Sequence, residues 1–379
     1  MQQSYVQLQA KLLRSYYQYF SKYLKGRQPE KKIAWVTAFT PVEILEALDI
    51  AYYYPESYAA VIAASGKEQD FLQESDQTGL CLDCCSYSCC IEGSLELGQG
   101  PRGTLPKPDV LIATNNQCNT LPNWWNILAA RYDVPLIILD YPGETTGIEE
   151  AEKYVTAQHQ QLIYEMEKLS GNKLDNAKLA QIIDISKRSV AAWQHVVELS
   201  MSHDIPPTTL FDGISFLITS RCKEETVEVY QLLADELLQT PPADQSQKPI
   251  FWLGYPLWYH QKRYLPELLE GYRVAGSNYI TWWSLNYDGE TNMEQLFSAY
   301  NFTFLNLRQE SKTRRLKACI EKSGAIGALV LHNKSCKCDF VSAKDIDIPQ
   351  VEIEIDMIDR NYADLERCRL QMEIFSENL

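Results

Sequence analysis

The chain has 379 residues, 45% of them apolar and 22% charged, a soluble globular composition too long for one ordinary core. Its 35 basic and 50 acidic residues leave a formal charge of −15. That balance argues against non-specific binding to nucleic acid or anionic lipid, though not against an anionic small ligand held in a local basic pocket. No secretory apolar region follows Met1, and no apolar stretch approaches the ~18 residues that suggest a membrane span. A cytoplasmic protein with no membrane or nucleic-acid partner is expected.

In chain order, Val6 to Leu24 reads as an amphipathic helix, ending near Gly26. Strand-like runs follow at Ile33–Thr37, Val110–Thr114 and Leu136–Leu139, with helical patterns at Val42–Leu48 and Trp124–Tyr132 between them. Such alternation predicts βαβ units and a mainly parallel sheet. From Glu149 to Val197 the pattern is helical throughout, and Cys222–Leu238 is a further helix. Pro241–Pro249 reads as a linker. A second alternating region then runs through Ile250–Leu253, Arg273–Ile280, the helix Lys312–Ser323, Gly327–Leu331 and Val351–Ile355. The expected organisation is an N-terminal helix (1–30), a first α/β lobe (31–148), a helical segment (149–247) and a second α/β lobe (248–379).

Eleven cysteines require a reason in a reducing compartment, where structural disulfides are rare. Cys81, Cys84, Cys85, Cys89 and Cys90 crowd into one short stretch. Cys85, Cys118 and Cys336 each read as lying at the mouth of a strand-like run. Residues just past the carboxyl ends of parallel strands converge on one cleft, so these three thiols suggest a metal-cluster site between the lobes. Three readings stand together at this point. Structural zinc would use Cys81 and Cys84 with Cys336 and Cys338. An iron–sulfur cluster would use thiolates without a ferredoxin spacing. Plain buried thiols would hold no metal.

Other motifs are weaker. Gly98-Gln99-Gly100-Pro101-Arg102-Gly103 matches a dinucleotide fingerprint in letters only, because it precedes its strand and contains a proline; it reads as a turn. No phosphate-binding G-x-x-x-x-G-K-[ST] or nucleophile-elbow G-x-S-x-G is present. His332, four residues before Cys336, is a candidate proton donor or a donor to cluster sulfur. His260 is a lesser candidate. Trp124-Trp125 and Trp282-Trp283 flank expected strand ends, where they could shape an apolar acyl or aryl pocket. The acids of Glu354–Arg360 read as a capped loop, or as carboxylates near a substrate or a subunit contact.

Six segments together resemble the 2-hydroxyacyl-CoA dehydratase / benzoyl-CoA reductase family. They are Thr40-Pro41-Val42-Glu43-Ile44-Leu45-Glu46-Ala47, Tyr54-Pro55-Glu56-Ser57-Tyr58-Ala59-Ala60 (closest to the reductase branch), Asp83-Cys84-Cys85-Ser86-Tyr87, Lys107-Pro108-Asp109 with Asn115-Asn116-Gln117-Cys118, His332-Asn333-Lys334-Ser335-Cys336-Lys337, and Glu354-Ile355-Asp356 with Asp359-Arg360. The resemblance implies two Rossmann-like lobes with a [4Fe–4S] cluster in the cleft, held by Cys85, Cys118 and Cys336. It also implies a related partner subunit (or a homodimer), a separate ATP-hydrolysing iron–sulfur activator, and radical one-electron chemistry on a CoA thioester. The reading drawn from it is an iron–sulfur oxidoreductase subunit of the benzoyl-CoA reductase type. The alternatives are a 2-hydroxyacyl-CoA dehydratase subunit, which is a lyase, and an electron-transfer subunit that binds no substrate. Cys81, Cys84, Cys89, Cys90 and Cys338 exceed the usual three ligands and leave an [8Fe–9S] double-cubane cluster as a second possibility. The stretch from Cys336 to Pro349 is shorter than the helix-containing connection the resemblance implies.

Overall fold

A computed structural model describes residues 4–21, 31–79, 84–259, 261–336 and 346–379. Helix α1 (Tyr5–Ser21) precedes the first sheet, built from β1 (Ile33–Val36), β2 (Ala51–Tyr53), β3 (Val110–Thr114) and β4 (Leu136–Leu139). Its helices are α2 (Val42–Ala47), α3 (Pro55–Ala64), α4 (Glu68–Gln77), α5 (Ser86–Leu97) and α6 (Thr120–Tyr132). Four helices form the middle: α7 (Ile148–Ser170), α8 (Asn176–Ser200), α9 (Pro207–Thr219) and α10 (Glu224–Leu237). The second sheet contains β5 (Lys248–Leu253), β6 (Tyr272–Ser277), β7 (Gly327–Asn333) and β8 (Gln350–Ile355). With it come α11 (Gln261–Leu268), α12 (Asn278–Trp282), α13 (Asn292–Asn301), α14 (Gln309–Ser323) and α15 (Leu365–Glu377).

Both sheets are parallel and have the same strand order, β2-β1-β3-β4 and β6-β5-β7-β8. β1 and β3 are buried at every position, as continuous apolar strands covered by helices on both faces should be. In each sheet the chain goes first to one side of the starting strand and then to the other. A crevice therefore opens beyond the carboxyl ends of β1 and β3, and another beyond β5 and β7. A continuous apolar cluster runs from α1 through the first sheet and the middle helices to the second sheet, including the fully buried Trp35, Trp125, Trp193 and Trp252. Polar contacts also cross between the lobes: Ser335 Oγ to Ser86 Oγ at 2.8 Å, Gln69 Nε2 to Asp359 Oδ1 at 2.7 Å, and Arg360 Nε to the buried Glu68 at 3.1 Å.

Two expectations need correction. The run Arg273–Ile280 is a strand only as far as Ser277, whose hydroxyl accepts from the N–H of Tyr279 (3.1 Å) and caps α12. The three-residue strand β2 was not anticipated, being too short to show a period. The Gly98–Gly103 segment is indeed a turn: Gly98 ends α5 in the left-handed region at φ 61°, where a residue lacking Cβ is unstrained.

Candidate functional site

Cys118 lies in the loop between β3 and α6, and Cys336 in the loop after β7, each at its sheet's crevice. Cys85 arrives differently. It is the residue preceding α5, not the end of a strand, and so sits at the positive end of a 12-residue helix. All three thiols line one cavity of about 890 Å³ between the two lobes. Burial pushes the Cys85 thiol well up, opposed by the N–H of Ser88, while the neighbouring thiols of Cys336 and Cys118 push it further. No group of three or more His, Cys, Asp or Glu among the described residues closes on a point that would hold a single metal ion.

A carboxyl joins the thiols. Glu56 stands in the first turn of α3, just beyond β2, because Pro55 starts that helix. It lines the cavity, and its Oε2 is buried with no hydrogen-bond partner among the described residues. Burial lifts its carboxyl to about 8, helped by the thiols of Cys118 and Cys336 and opposed by a hydrogen bond from the Ala38 N–H. Aromatic side chains form the opposite wall. Trp258 donates its indole N–H to Tyr87 Oη. Tyr279 packs edge-on to Trp258 and Trp283, and Trp283 stacks on Phe39 with ring centroids 4.8 Å apart.

Two buried acids hold these walls in place. Glu43 has no solvent exposure, and it accepts from Arg221 Nε (3.0 Å), Tyr287 Oη (2.7 Å), Ser186 Oγ (3.0 Å) and Tyr300 Oη. Burial pushes its carboxyl up, but the Arg221 charge and the two tyrosine hydroxyls outweigh it and leave Glu43 below the usual range. Arg221 also donates to the Thr40 carbonyl (3.0 Å), which ties down the loop carrying Ala38 and Phe39. Asp356 accepts from the N–H groups of Ser335 (3.2 Å), Ile358 (2.9 Å) and Asp359 (2.8 Å), which shapes the loop of Cys336. Of the acids expected after the last strand, Asp356 caps this loop, while Met357 reaches the cavity.

Several expected residues lie elsewhere. His332 is still within β7, exposed, with Nε2 2.8 Å from Glu352 on β8, and it does not line the cavity, so it does not serve the thiols as a donor. Cys84 precedes α5 without lining the cavity, and Cys89 and Cys90 are buried in the core on α5. Cys81, Cys338 and His260 lie outside the described residues, as does most of the stretch between Cys336 and Pro349. Trp124, Trp282 and Trp283 line the cavity, whereas Trp125 is core. Glu56 carried no assigned role in the sequence, although an acid after Pro at a helix start following an apolar run was a usable signal. Arg221 was missed altogether; its signal was a lone charge closing the apolar run Phe216–Ile218.

The family model for 2-hydroxyglutaryl-CoA dehydratase, D-component, matches residues 37–379. The chain is 26% identical to the (R)-phenyllactyl-CoA dehydratase alpha subunit of Clostridium sporogenes, covering 90% of this chain and 88% of that one. It is 28% identical to the lactoyl-CoA dehydratase alpha subunit of Anaerotignum propionicum, with 86% of each covered. It is 22% identical to a benzoyl-CoA reductase subunit of Thauera aromatica, covering 90% and 87%. No helix among the described residues is long and apolar enough to cross a membrane. The chain belongs to the 2-hydroxyglutaryl-CoA dehydratase D-component family.

Proposed function

We propose that the protein is a subunit of a 2-hydroxyacyl-CoA dehydratase, a lyase acting on a CoA thioester. It would work with a related second subunit and be supplied with electrons by an ATP-hydrolysing iron–sulfur activator. The observation that carries this reading is the convergence of Cys85, Cys118, Cys336 and Glu56 on one buried cavity. The similarity to dehydratase alpha subunits at 26% and 28%, against 22% for the reductase subunit, favours the lyase over the benzoyl-CoA reductase reading drawn from Tyr54–Ala60.

The three thiols suit a [4Fe–4S] cluster. They come from three separate segments, they line one space instead of closing on a point, and as the only ligands they would leave one iron without a protein thiolate. No other cysteine of the described residues lines the cavity, so the simple cluster is favoured over the double cubane. When bound, such a cluster supplies single electrons at low potential. The chain's own residues do the rest. Dehydration breaks the C2–O bond and a C3–H bond, releases one water and leaves a C2=C3 double bond, with no net redox change. Glu56 is the acid beside the thiols, placed to give a proton to the departing hydroxyl and to accept one from C3. Tyr87, Trp258 and Tyr279 exclude bulk water from that step.

The test is electron stoichiometry. The anaerobically purified complex is given activator, ATP, reductant and a 2-hydroxyacyl-CoA. A lyase turns over many times per electron delivered. Consumption of electrons in proportion to product would restore the reductase reading. Turnover by the complex with no thioester bound to this subunit would favour an electron-transfer subunit.

A further inference from the structure

The cavity has two regions of different chemistry. Its outer part runs along α1, where its cations are found: Lys31 pairs with Asp49, Lys223 pairs with Glu46, and Arg102 is exposed. The inner part, around the thiols, is lined by Phe39, Glu56, Tyr87, Tyr279 and Trp283. Its wall is aromatic. Phe39 stacks on Trp283, Trp283 meets Tyr279 edge-on, and Trp282 stacks on Phe304 at 4.9 Å. On the other side Leu121 and Trp124 follow directly from the Cys118 loop on α6.

We infer that the inner chamber selects a bulky apolar acyl group, of aryl or branched-alkyl type, and rejects acyl groups that end in a carboxylate. The inference rests on the CoA-thioester reading of the same site. An ω-carboxylate placed against Phe39 and Trp283 would lose its hydration and meet no cation on that aromatic wall among the described residues. A desolvated, unpaired anion is the costliest occupant of such a wall. A flat or branched hydrocarbon would replace poorly solvated space with aromatic contacts at little cost in ordering. The Phe39–Trp283 pair is therefore assigned as the specificity wall. It is built from the loop after β1 and the end of α12, one residue from each lobe.

The experiment measures equilibrium binding, not turnover, so it does not depend on activation. The purified complex is titrated with four probes that cannot be dehydrated: 3-phenylpropanoyl-CoA, 4-methylpentanoyl-CoA, glutaryl-CoA and free CoA. The two apolar thioesters should bind at least about a hundredfold more tightly than glutaryl-CoA. Trp283→Leu should cut that preference about tenfold, mainly by weakening the phenyl thioester. Phe39→Leu, made separately, should act in the same direction, and unfolding midpoints for both variants establish that the fold survives. Glutaryl-CoA binding within about threefold of the phenyl thioester would overturn the inference while leaving the thioester site intact. Unchanged discrimination in both folded variants would also overturn it. Failure of all four probes to bind would instead sink the CoA-thioester reading on which it stands.

Discussion

Arg221→Met removes the guanidinium that faces Glu43 and keeps much of the side chain's volume. In the parent, Arg221 is 2% exposed and Glu43 is fully buried. The variant leaves Glu43 its hydrogen bonds from Ser186, Tyr287 and Tyr300 but no compensating charge. Breaking a buried ion pair from one side costs about 3–5 kcal/mol. The Thr40 and Ile218 carbonyls each lose a donor as well, at roughly 1 kcal/mol apiece. With an unfolding entropy of about 2.1 cal/mol/K per residue, the summed loss of ~6 kcal/mol lowers the melting temperature by about 7–8 °C if the whole chain unfolds together. The pH dependence distinguishes this from simple loss of packing. In the parent, the folded pKa of Glu43 lies below its unfolded value, so its contribution is present above about pH 4.3 and is lost as pH falls further. In the variant burial prevails and the folded pKa rises above the unfolded value. The variant's deficit must then widen as pH climbs from about 4.5 through that raised pKa. Calorimetric melting of both proteins at about pH 5 and about pH 8 measures it. A deficit below about 1 kcal/mol, or one that does not change with pH, would refute the reasoning. Glu43→Gln combined with Arg221→Met should recover part of the loss, since no charge is then buried.

Further outcomes follow from the same structure. Cys85→Ala, Cys118→Ala and Cys336→Ala should each purify anaerobically with less iron and acid-labile sulfide than the parent; full retention in all three would mean that other thiols hold the cluster. Asp356→Asn weakens the acceptor of three N–H groups and should lower stability by about 1–2 kcal/mol, while loosening cluster retention because the Cys336 loop depends on it. Glu56→Gln should preserve thioester binding and iron content but reduce turnover by about 10²–10⁴-fold, measured under single-turnover conditions. His159 is fully buried against Tyr141 Oη at 3.0 Å, and burial lowers its pKa to about 4. Its folded pKa is depressed, so stability is fully present above about pH 6.5 and falls as pH drops toward 4, by up to ~3 kcal/mol. His159→Gln should flatten the unfolding midpoint across that window.

The parts legible in the sequence were those that depend on local pattern. Val110–Thr114 and Leu136–Leu139 are strands at the expected bounds; the first is apolar because it is buried throughout, whereas the second is an edge strand on which Ile138 is exposed. The helices of the middle segment were evident from their 3.6-residue period, although the left-handed Gly171 divides the first long stretch into α7 and α8. Cys118 and Cys336 could be assigned to strand ends because each follows an apolar run directly. Cys85 misled on this point, since a helix start reached through a loop has no comparable signature. His332 misled in the other direction: it is still on the strand and pairs with Glu352, while Cys336 lies in the loop beyond the strand end, so nearness in sequence did not bring the two together.

The sequence by itself determined the α/β class, the two alternating regions and the three thiols worth watching. All of these follow from residue type and spacing within short windows. Only the tertiary structure decided which polar and aromatic groups meet those thiols. Glu56 and Phe39 come from the first lobe and Trp258 and Trp283 from the second, and their meeting depends on how the two lobes pack together. It likewise decided that Glu43 and Arg221, 178 residues apart, share one buried ion pair. A charge pairs with whatever the fold brings within a few ångströms, and local pattern carries no record of that partner.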